Sequence, residues 1–422
     1  MLIEFTVGNF LSFGENRTIS FQAGSISELP DNVVKIRKQK LLKSGVIYGA
    51  NSSGKSNLIK AMQRMRNMVL SSVKLNDTDE LEFTPFLLSD KENPLTHFEV
   101  LFEFSKSNYR YGFEYNSQII SSEWLFVQNS NTEYPLFYRT EDGIKVYDKF
   151  SEGISKEEST NDNRLFLSLV AQLGGSLSKQ LINWFRHFNI ISGIDHSGYG
   201  GYSMKMLNER LEGCNESLKF FQRLKLGFKE LTIKESEFDD KDIIKFQTVL
   251  TDKARSNFIK NIKDSKLFSL MSIHNKYDKN GNITGQSIFD TDSQESEGTK
   301  KIIDLSGPIF DTLLNGKILV VDELDAKLHP LITIEIIKLF NSPVSNPNNA
   351  QLFFATHDTH LLDADLFRRD QIWFAEKDEQ EQTDIYSLIE FKLPDGSKVR
   401  NDSNLEKNYI RGRYGAIPFM IN

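Results

Sequence analysis

The sequence predicts an α/β chain: a parallel sheet flanked by helices, with an N-terminal antiparallel β part ahead of it and a mixed β/helical insertion within it. Three observations predict this. Gly49-Ala50-Asn51-Ser52-Ser53-Gly54-Lys55-Ser56 fits G-x-x-x-x-G-K-[ST]. It sits between the apolar run Gly45–Tyr48 and a segment in which Leu58, Met62, Met65 and Val69 recur at helical spacing. Further on, Ile318-Leu319-Val320-Val321 is closed by Asp322 and Glu323, and Gln351–Ala355 leads through Thr356 to His357. Aliphatic runs of this kind suit strands buried on both faces, and open α/β sheets place ligands beyond the C-terminal ends of such strands.

The elements follow in order. Leu2, Glu4 and Thr6 alternate with Ile3, Phe5 and Val7; a turn at Gly8-Asn9 and a second run from Thr18 to Phe21 predict a strand pair. After the loop helix, Phe98, Val100, Phe102 and Phe104, then Tyr109, Tyr111, Phe113 and Tyr115, recur with period two, predicting a β-meander that continues through Trp124–Val127. Exposed rings among basic residues can stack bases. Strict alternation beside Glu99, Glu103 and Glu114 instead marks a half-buried sheet, so these rings are read as core. Ser151–Asn163 is polar and reads as an exposed loop. Helical spacing returns at Leu165, Leu169 and Leu173, at Leu181–Phe188 and at Met204–Phe228, with Ser197-Gly198-Tyr199-Gly200-Gly201 as a flexible connection. Asn280-Gly281 predicts a tight type I′ hairpin turn. Ile302, Ile303, Leu305, Ile309 and Leu313 predict a helix returning to the core, and the acidic run Asp378–Asp384 reads as a hairpin tip. The expected organisation is therefore a core formed by 1–70 and 295–422, interrupted by an insertion over 71–294 that contains the meander, a helical lobe and the hairpin.

Bulk properties narrow the function. With 422 residues, 39% hydrophobic and 26% charged, the chain has the composition of an enzyme-sized soluble protein. A net charge of −7 gives no overall cationic excess for non-specific nucleic-acid binding. A local patch, Lys407, Tyr409, Arg411 and Arg413, reads as a contact for a partner or for nucleic acid and equally as a solvated helix end. Cys214 is the single cysteine, which excludes an intramolecular disulfide and fits a reducing compartment. The start lacks a basic region followed by an apolar one, and no run approaches the ~18 apolar residues of a membrane span, so a cytoplasmic protein without a membrane partner is expected.

The loop chemistry points to ATP. Gly49, Asn51, Ser52, Ser53, Gly54, Lys55, Ser56 and Asn57 form a cradle in which backbone N–H groups and a helix N-terminus meet phosphate oxygens. Lys55 is placed to reach the β and γ phosphates, and Ser56 to hold Mg²⁺. Asp322 is the second expected Mg²⁺ ligand, Glu323 is placed to polarise the attacking water, and His357 to contact the γ phosphate or that water.

The order of these parts resembles the ABC-type ATPases, a class that includes SMC-like repair ATPases and the OLD family. In that class the Asp-Glu pair is followed by a dimer-contacting loop, matched here by Leu324-Asp325-Ala326-Lys327-Leu328-His329-Pro330, and later by a switch histidine, matched by His357. A signature segment precedes the helix leading to the Asp-Glu strand, and Ser296-Glu297-Gly298-Thr299-Lys300 occupies that slot, departing from the common Leu-Ser-Gly-Gly-Gln wording. The resemblance implies that Ser296, Glu297 and Gly298 meet ATP held by a second subunit and that Asp325 lies at the dimer contact, so a homodimer or higher homo-oligomer is expected. No Q-loop glutamine is evident; Phe83-Thr84-Pro85-Phe86 lies where it would be sought. More narrowly, Asn9-Phe10-Leu11-Ser12-Phe13, the phosphate loop, the signature, the Asp322–Pro330 segment and the ending Tyr409–Pro418 look like RloA, AbiL and related bacterial ATPases. Those proteins belong to anti-phage systems and work beside a separate effector, such as a Toprim-like or RloB-like nuclease. A nuclease within this chain is not expected: Asp290-Thr291-Asp292 and Asp363-Ala364-Asp365 fit Asp-x-Asp, but one leads into the signature and the other has too little chain after it. The competing reading is a DNA-repair or chromosome-maintenance ATPase, which the missing long coiled coil and the acidic charge disfavour.

Overall fold

The computed structural model describes residues 1–90, 94–128, 132–195, 197–237, 266–393, 396–400 and 403–418. It separates into two compact units, one formed by Met1–His196 with Asp311–Asn422, the other by Ser197–Phe310.

In the first unit a six-stranded sheet runs in the order Phe188–Ser192, Ile318–Asp322, Gln351–Ala355, Ser44–Tyr48, Ile372–Lys377, Thr383–Ser387. The first five strands are parallel and the last is antiparallel. The three runs singled out from the sequence are neighbours, with the histidine strand between the phosphate-loop strand and the Asp-Glu strand. Ser44–Tyr48 and Gln351–Ala355 are buried at every position. Their shared register is visible at the N-terminal edge, where buried amides bond to backbone. Gln351 Nε2 donates to Leu2 O and Leu42 O at 3.0 Å each, while its Oε1 accepts from Leu2 N at 2.6 Å. Gln371 Nε2 donates to Ser44 O at 2.9 Å, and Ser44 Oγ donates to Asn341 Oδ1 at 2.8 Å. The helix Lys55–Ser71 follows the phosphate loop and buries Leu58, Ile59, Met62, Met65 and Val69, the face its periodicity predicts.

The second sheet of this unit has seven antiparallel strands in the order Gly143–Val146, Glu133–Thr140, Ile120–Gln128, Ser107–Tyr115, Thr96–Phe104, Leu2–Gly8, Arg17–Ser20. The aromatic stripe is core: Phe98, Phe102, Tyr111, Phe113 and Tyr115 have no exposed surface, and Phe102 stacks on Trp184 with ring centroids 4.0 Å apart. Because Leu2–Gly8 pairs directly with Thr96–Phe104 (Phe5 opposite Val100), the meander shares a sheet with the N-terminal strands. The expected insertion over 71–294 is thus divided, and the part that forms its own compact unit begins at Ser197. Glu123 turns into this core, where its carboxylate accepts from Phe166 N at 2.6 Å, Leu167 N at 3.0 Å and the Tyr111 hydroxyl at 2.9 Å, capping the helix Phe166–Gln172.

The second unit contains the antiparallel sheet Glu230–Glu237, Lys266–Tyr277, Ile283–Asp290, the helices Ser197–Asn208 and Cys214–Leu224, and the start of the helix Glu297–Asn315. Two expectations need correction here. Ser197–Gly201 is not a flexible connection but the first turn and more of a helix, in which Tyr199 is buried and Gly200 lies close to the Asp304 carboxylate. Tertiary packing has overridden poor helix propensity. The hairpin at Asn280-Gly281 forms, but with a five-residue loop in which Asp278 Oδ1 accepts from Asn280 N and Asn282 N at 2.8 Å each, and Gly281 has φ +82° while Asn280 stays out of the left-handed region that a type I′ turn requires. No helix among the described residues is long and apolar enough to cross a membrane.

Replacing Phe102 with Ala removes the ring stacked on Trp184 from a closed core and is expected to destabilise the protein by about 3–5 kcal/mol. A denaturation curve of F102A with an unchanged midpoint would contradict this packing.

Candidate nucleotide site

The cleft begins where Ser44–Tyr48 ends. The chain turns through Gly49–Gly54 and enters the helix at Lys55. Gly54 has φ +107°, and a Cβ there would run into the Thr383 side chain; a Cβ at Gly49 would meet Ala375 O. Both positions therefore require glycine. The loop is braced from outside: Thr383 Oγ1 bonds to Ser53 O at 3.0 Å and to Ser12 Oγ at 2.7 Å, and Asn57 Nδ2 donates to Ser12 Oγ at 2.8 Å. The opening motif holding Ser12 is itself tied to Phe83–Phe86, since Phe86 N donates to Asn9 Oδ1 at 3.2 Å and Leu11 N to Thr84 O at 2.9 Å.

Lys55 Nζ donates to Gly49 O at 2.8 Å and Ala50 O at 3.0 Å, folded back on its own loop. Burial lowers its pKa from 10.5 to about 8, against the opposing pull of Asp322, Glu323 and Asp325. Ser56 Oγ lies 3.1 Å from Asp322 Oδ1, a contact between the first turn of the loop helix and the end of a strand 266 residues later. Glu323 follows in the left-handed region, φ +57°, a conformation that costs a non-glycine residue about 1 kcal/mol or more. Gly193 makes this turn possible: its N–H donates to Asp322 O at 2.6 Å, and a side chain at 193 would collide with Glu323 O. His357 is open to the cleft. Its pKa lies below the usual value, chiefly through desolvation and then the charge of Lys55, with Glu323, Asp325 and Asp322 opposing.

A cavity of about 530 Å³ is lined by Asn51, Ser52, Ser53, Gly54, Lys55, Ser56, Asn57, Glu323 and His357. The structure therefore brings together all but one of the loop residues singled out from the sequence, with both strand-end groups, while Gly49 contributes its carbonyl to Lys55 and Asp322 joins through Ser56. Asp325 is half-buried in the turn after Glu323; among the described residues, its Oδ1 and Ser53 Oγ are buried without a hydrogen-bond partner. Ser296, Glu297 and Gly298 belong to the second compact unit, at the start of the helix Glu297–Asn315. There Ser296 Oγ accepts from Thr299 N at 3.1 Å, and Glu297 Oε1 accepts from Lys300 Nζ at 2.8 Å.

The donor set fits Mg²⁺. A hydroxyl and a carboxylate converge as hard oxygen ligands, and no cluster of three or more His, Cys, Asp or Glu side chains placed to hold a metal ion occurs among the described residues. Mg²⁺ characteristically takes one or two protein oxygens and completes its shell with water and substrate phosphate. The two Asp-x-Asp segments are used as turn caps: Asp290 Oδ1 accepts from Ser293 N at 3.0 Å, and Asp363 Oδ1 from Asp365 N at 2.9 Å. Ser12, Thr383 and Gly193 are the groups that motif reading did not assign to the site. Ser12 lies within the opening motif, whereas Thr383 and Gly193 carry no local signal, since each acts through a contact with distant backbone.

A phosphate loop, an Asp-Glu strand end and a histidine strand inserted between them define a P-loop ATPase. The chain belongs to the family described as "AAA domain, putative AbiEii toxin, Type IV TA system", which matches residues 46–363. No curated protein matches the sequence. Among solved structures it is similar to the SMC head domain from Thermotoga maritima, at 14% identity and a TM-score of 0.41, covering 92% of this chain and 98% of that one. It is also similar to an SmcHead bound to the C-winged helix domain of ScpA, at 12% identity and 0.46, covering 92% and 97%. A third is the Smc head domain with an extended coiled coil bound to the C-terminal domain of ScpA derived from Pyrococcus furiosus, at 11% and 0.33, covering 92% and 96%.

Replacing Thr383 with Val keeps the shape but removes the hydroxyl that joins Ser12 to the loop carbonyl. Leaving those buried groups unpaired costs about 1–3 kcal/mol, so T383V is expected to melt at a lower temperature and to bind ATP about tenfold more weakly. Wild-type values in a thermal-shift titration would contradict the brace.

Proposed function

We propose that the chain is a Mg²⁺-dependent ATPase of ABC type that closes as a head-to-tail homodimer, or a higher homo-oligomer, and serves as the sensor or scaffold of a bacterial anti-phage system by controlling a separate effector, a Toprim-like or RloB-like nuclease. The observation that carries the ATPase reading is the 3.1 Å contact between Ser56 Oγ and Asp322 Oδ1, beside a cleft shared by Lys55, Glu323 and His357.

In this reading the loop N–H groups and the helix N-terminus hold the phosphates, and Lys55 exchanges its loop carbonyls for phosphate oxygens. Ser56 and Asp322 would hold Mg²⁺, which when bound neutralises charge on the phosphates. Glu323 takes the proton of the attacking water, its carboxylate aimed by the left-handed turn. His357, whose pKa in the open cleft lies below the usual value chiefly through desolvation, acts as a hydrogen-bonding group toward the γ phosphate or the water. Ser296 and Gly298, at a helix N-terminus, offer donors to the γ phosphate of the second copy, with Asp325 near the dimer contact. The defence role rests on the motifs shared with RloA and AbiL and is supported by the family description, which names a putative toxin and a toxin–antitoxin system.

Glu323→Gln is expected to retain ATP binding while cutting turnover by about 100-fold or more; equal turnover would refute the assignment. Chelation with EDTA should abolish turnover, and Mg²⁺ should restore it. For the biological role, cells carrying the gene with its chromosomal neighbours should resist phage, and Lys55→Ala should abolish that protection in plaque counts. Protection by K55A equal to wild type would contradict the defence reading.

A further inference from the structure

The second compact unit holds a polar cluster that the ATPase chemistry does not use. Ser272 and His274 lie two residues apart on the central hairpin strand Lys266–Tyr277 and so share one face. Both meet Glu295. Ser272 Oγ donates to Glu295 Oε1 at 2.5 Å, and His274 Nε2 lies 2.8 Å from the same oxygen and 3.1 Å from Ser272 Oγ. Ser272 is fully buried, the Glu295 side chain is 8% exposed, and the imidazole stacks on Phe289 with ring centroids 4.4 Å apart. One imidazole nitrogen faces both oxygens, so this is not a nucleophile with a base and a separate orienting acid. It is a clamp on a carboxylate.

The clamped residue immediately precedes Ser296. A second tie lies one turn earlier, where Thr291 Oγ1 donates to Leu270 O on the same strand at 2.9 Å. Lys300 Nζ closes the segment, donating to Asp292 O at 2.6 Å and to Glu297 Oε1 at 2.8 Å. The stretch carrying Ser296 and Gly298 is therefore fixed to one strand at two points. Its attachment at Glu295 is the denser of the two, since two side chains converge on one carboxylate oxygen there.

We propose that Ser272 and His274 are positioning residues that act through Glu295 to align Ser296 and Gly298 with the nucleotide of a second copy of the chain. The hairpin strand thereby becomes the element that sets one half of a composite site. This rests on the reading of Ser296–Gly298 as completing a partner's site. In this proposal the clamp acts on the nucleotide of the second copy, so loosening it impairs turnover and leaves single-protomer ATP binding intact.

Complementation between variants tests this. His274→Ala is expected to bind ATP with wild-type Kd and to lose turnover about tenfold or more. Mixing it with Lys55→Ala should restore turnover, because a mixed dimer pairs the sound phosphate loop of one variant with the sound signature of the other. His274→Gln, which keeps an N–H donor for Glu295, should retain most of the activity. Full activity of H274A overturns the proposal, and so does a loss that mixing with K55A fails to restore. Ser296→Arg mixed with K55A separates the two levels. If that pair fails to complement, the composite-site reading itself falls; if it complements and the H274A pair does not, only the clamp falls.

Discussion

The site exists only if three buried parallel strands pair in one register. Val321 lies opposite Phe354, and Ala355 opposite Ile47. A slip of one residue would exchange the faces on which every side chain points and move Asp322 away from Ser56. The strand interiors cannot enforce this, because Val, Ile, Leu and Phe pack nearly as well one step along. The amides at the opposite edge contribute for the phosphate-loop and histidine strands. Buried Gln351, the first residue of the histidine strand, bonds to Leu42 O just ahead of Ser44–Tyr48 and to Leu2 in the second sheet, buried Gln371 bonds to Ser44 O, and each group left unpaired by a slip would cost about 1–3 kcal/mol. These polar contacts fix the strands that carry the phosphate loop and the histidine, and the backbone pairing of Ile318–Asp322 with Gln351–Ala355 brings Asp322 to Ser56 at the other end of the sheet.

A second constraint is electrostatic. Lys55 is buried in a loop of small residues, which alone would favour its neutral form. Asp322, Glu323 and Asp325 oppose that tendency, and the carbonyls of Gly49 and Ala50 take its hydrogen bonds. The same carboxylates surround His357, which lies between their pull and the repulsion of Lys55. Lys55 and His357 thus share the field of the same three acids, and a phosphate chain entering the cleft would satisfy the cation while crowding the anions. Under the proposed function, such crowding would make a divalent cation useful at Ser56 and Asp322.

Much of this was legible in the sequence, for identifiable reasons. The phosphate loop, the Asp-Glu strand end and His357 stand out because each is a local pattern at the end of an apolar strand, and the aromatic meander because period two survives in any half-buried sheet. Spatial order was less legible. Nothing in the run Gln351–Ala355 states that it lies between the other two strands, and nothing near Thr383 or Gly193 announces a role in the cleft, since both act by touching backbone far away in sequence. Ser197–Gly201 was misleading for the complementary reason: its glycines suggest flexibility, whereas the segment begins a helix in which Tyr199 is buried. The joining of the meander to the N-terminal strands depends on pairing across nearly a hundred residues, which periodicity cannot reveal.

Under the proposed function, Ser56 and Asp322 act together on one metal-bound nucleotide. The most direct test of this is a double-mutant cycle for ATP affinity with Ser56→Ala and Asp322→Asn, measured by calorimetry in Mg²⁺ and again in EDTA. The account predicts that in Mg²⁺ each change alone weakens binding and the double change adds little more, with the coupling vanishing in EDTA. Additive losses in Mg²⁺, or the same coupling without it, would contradict the account.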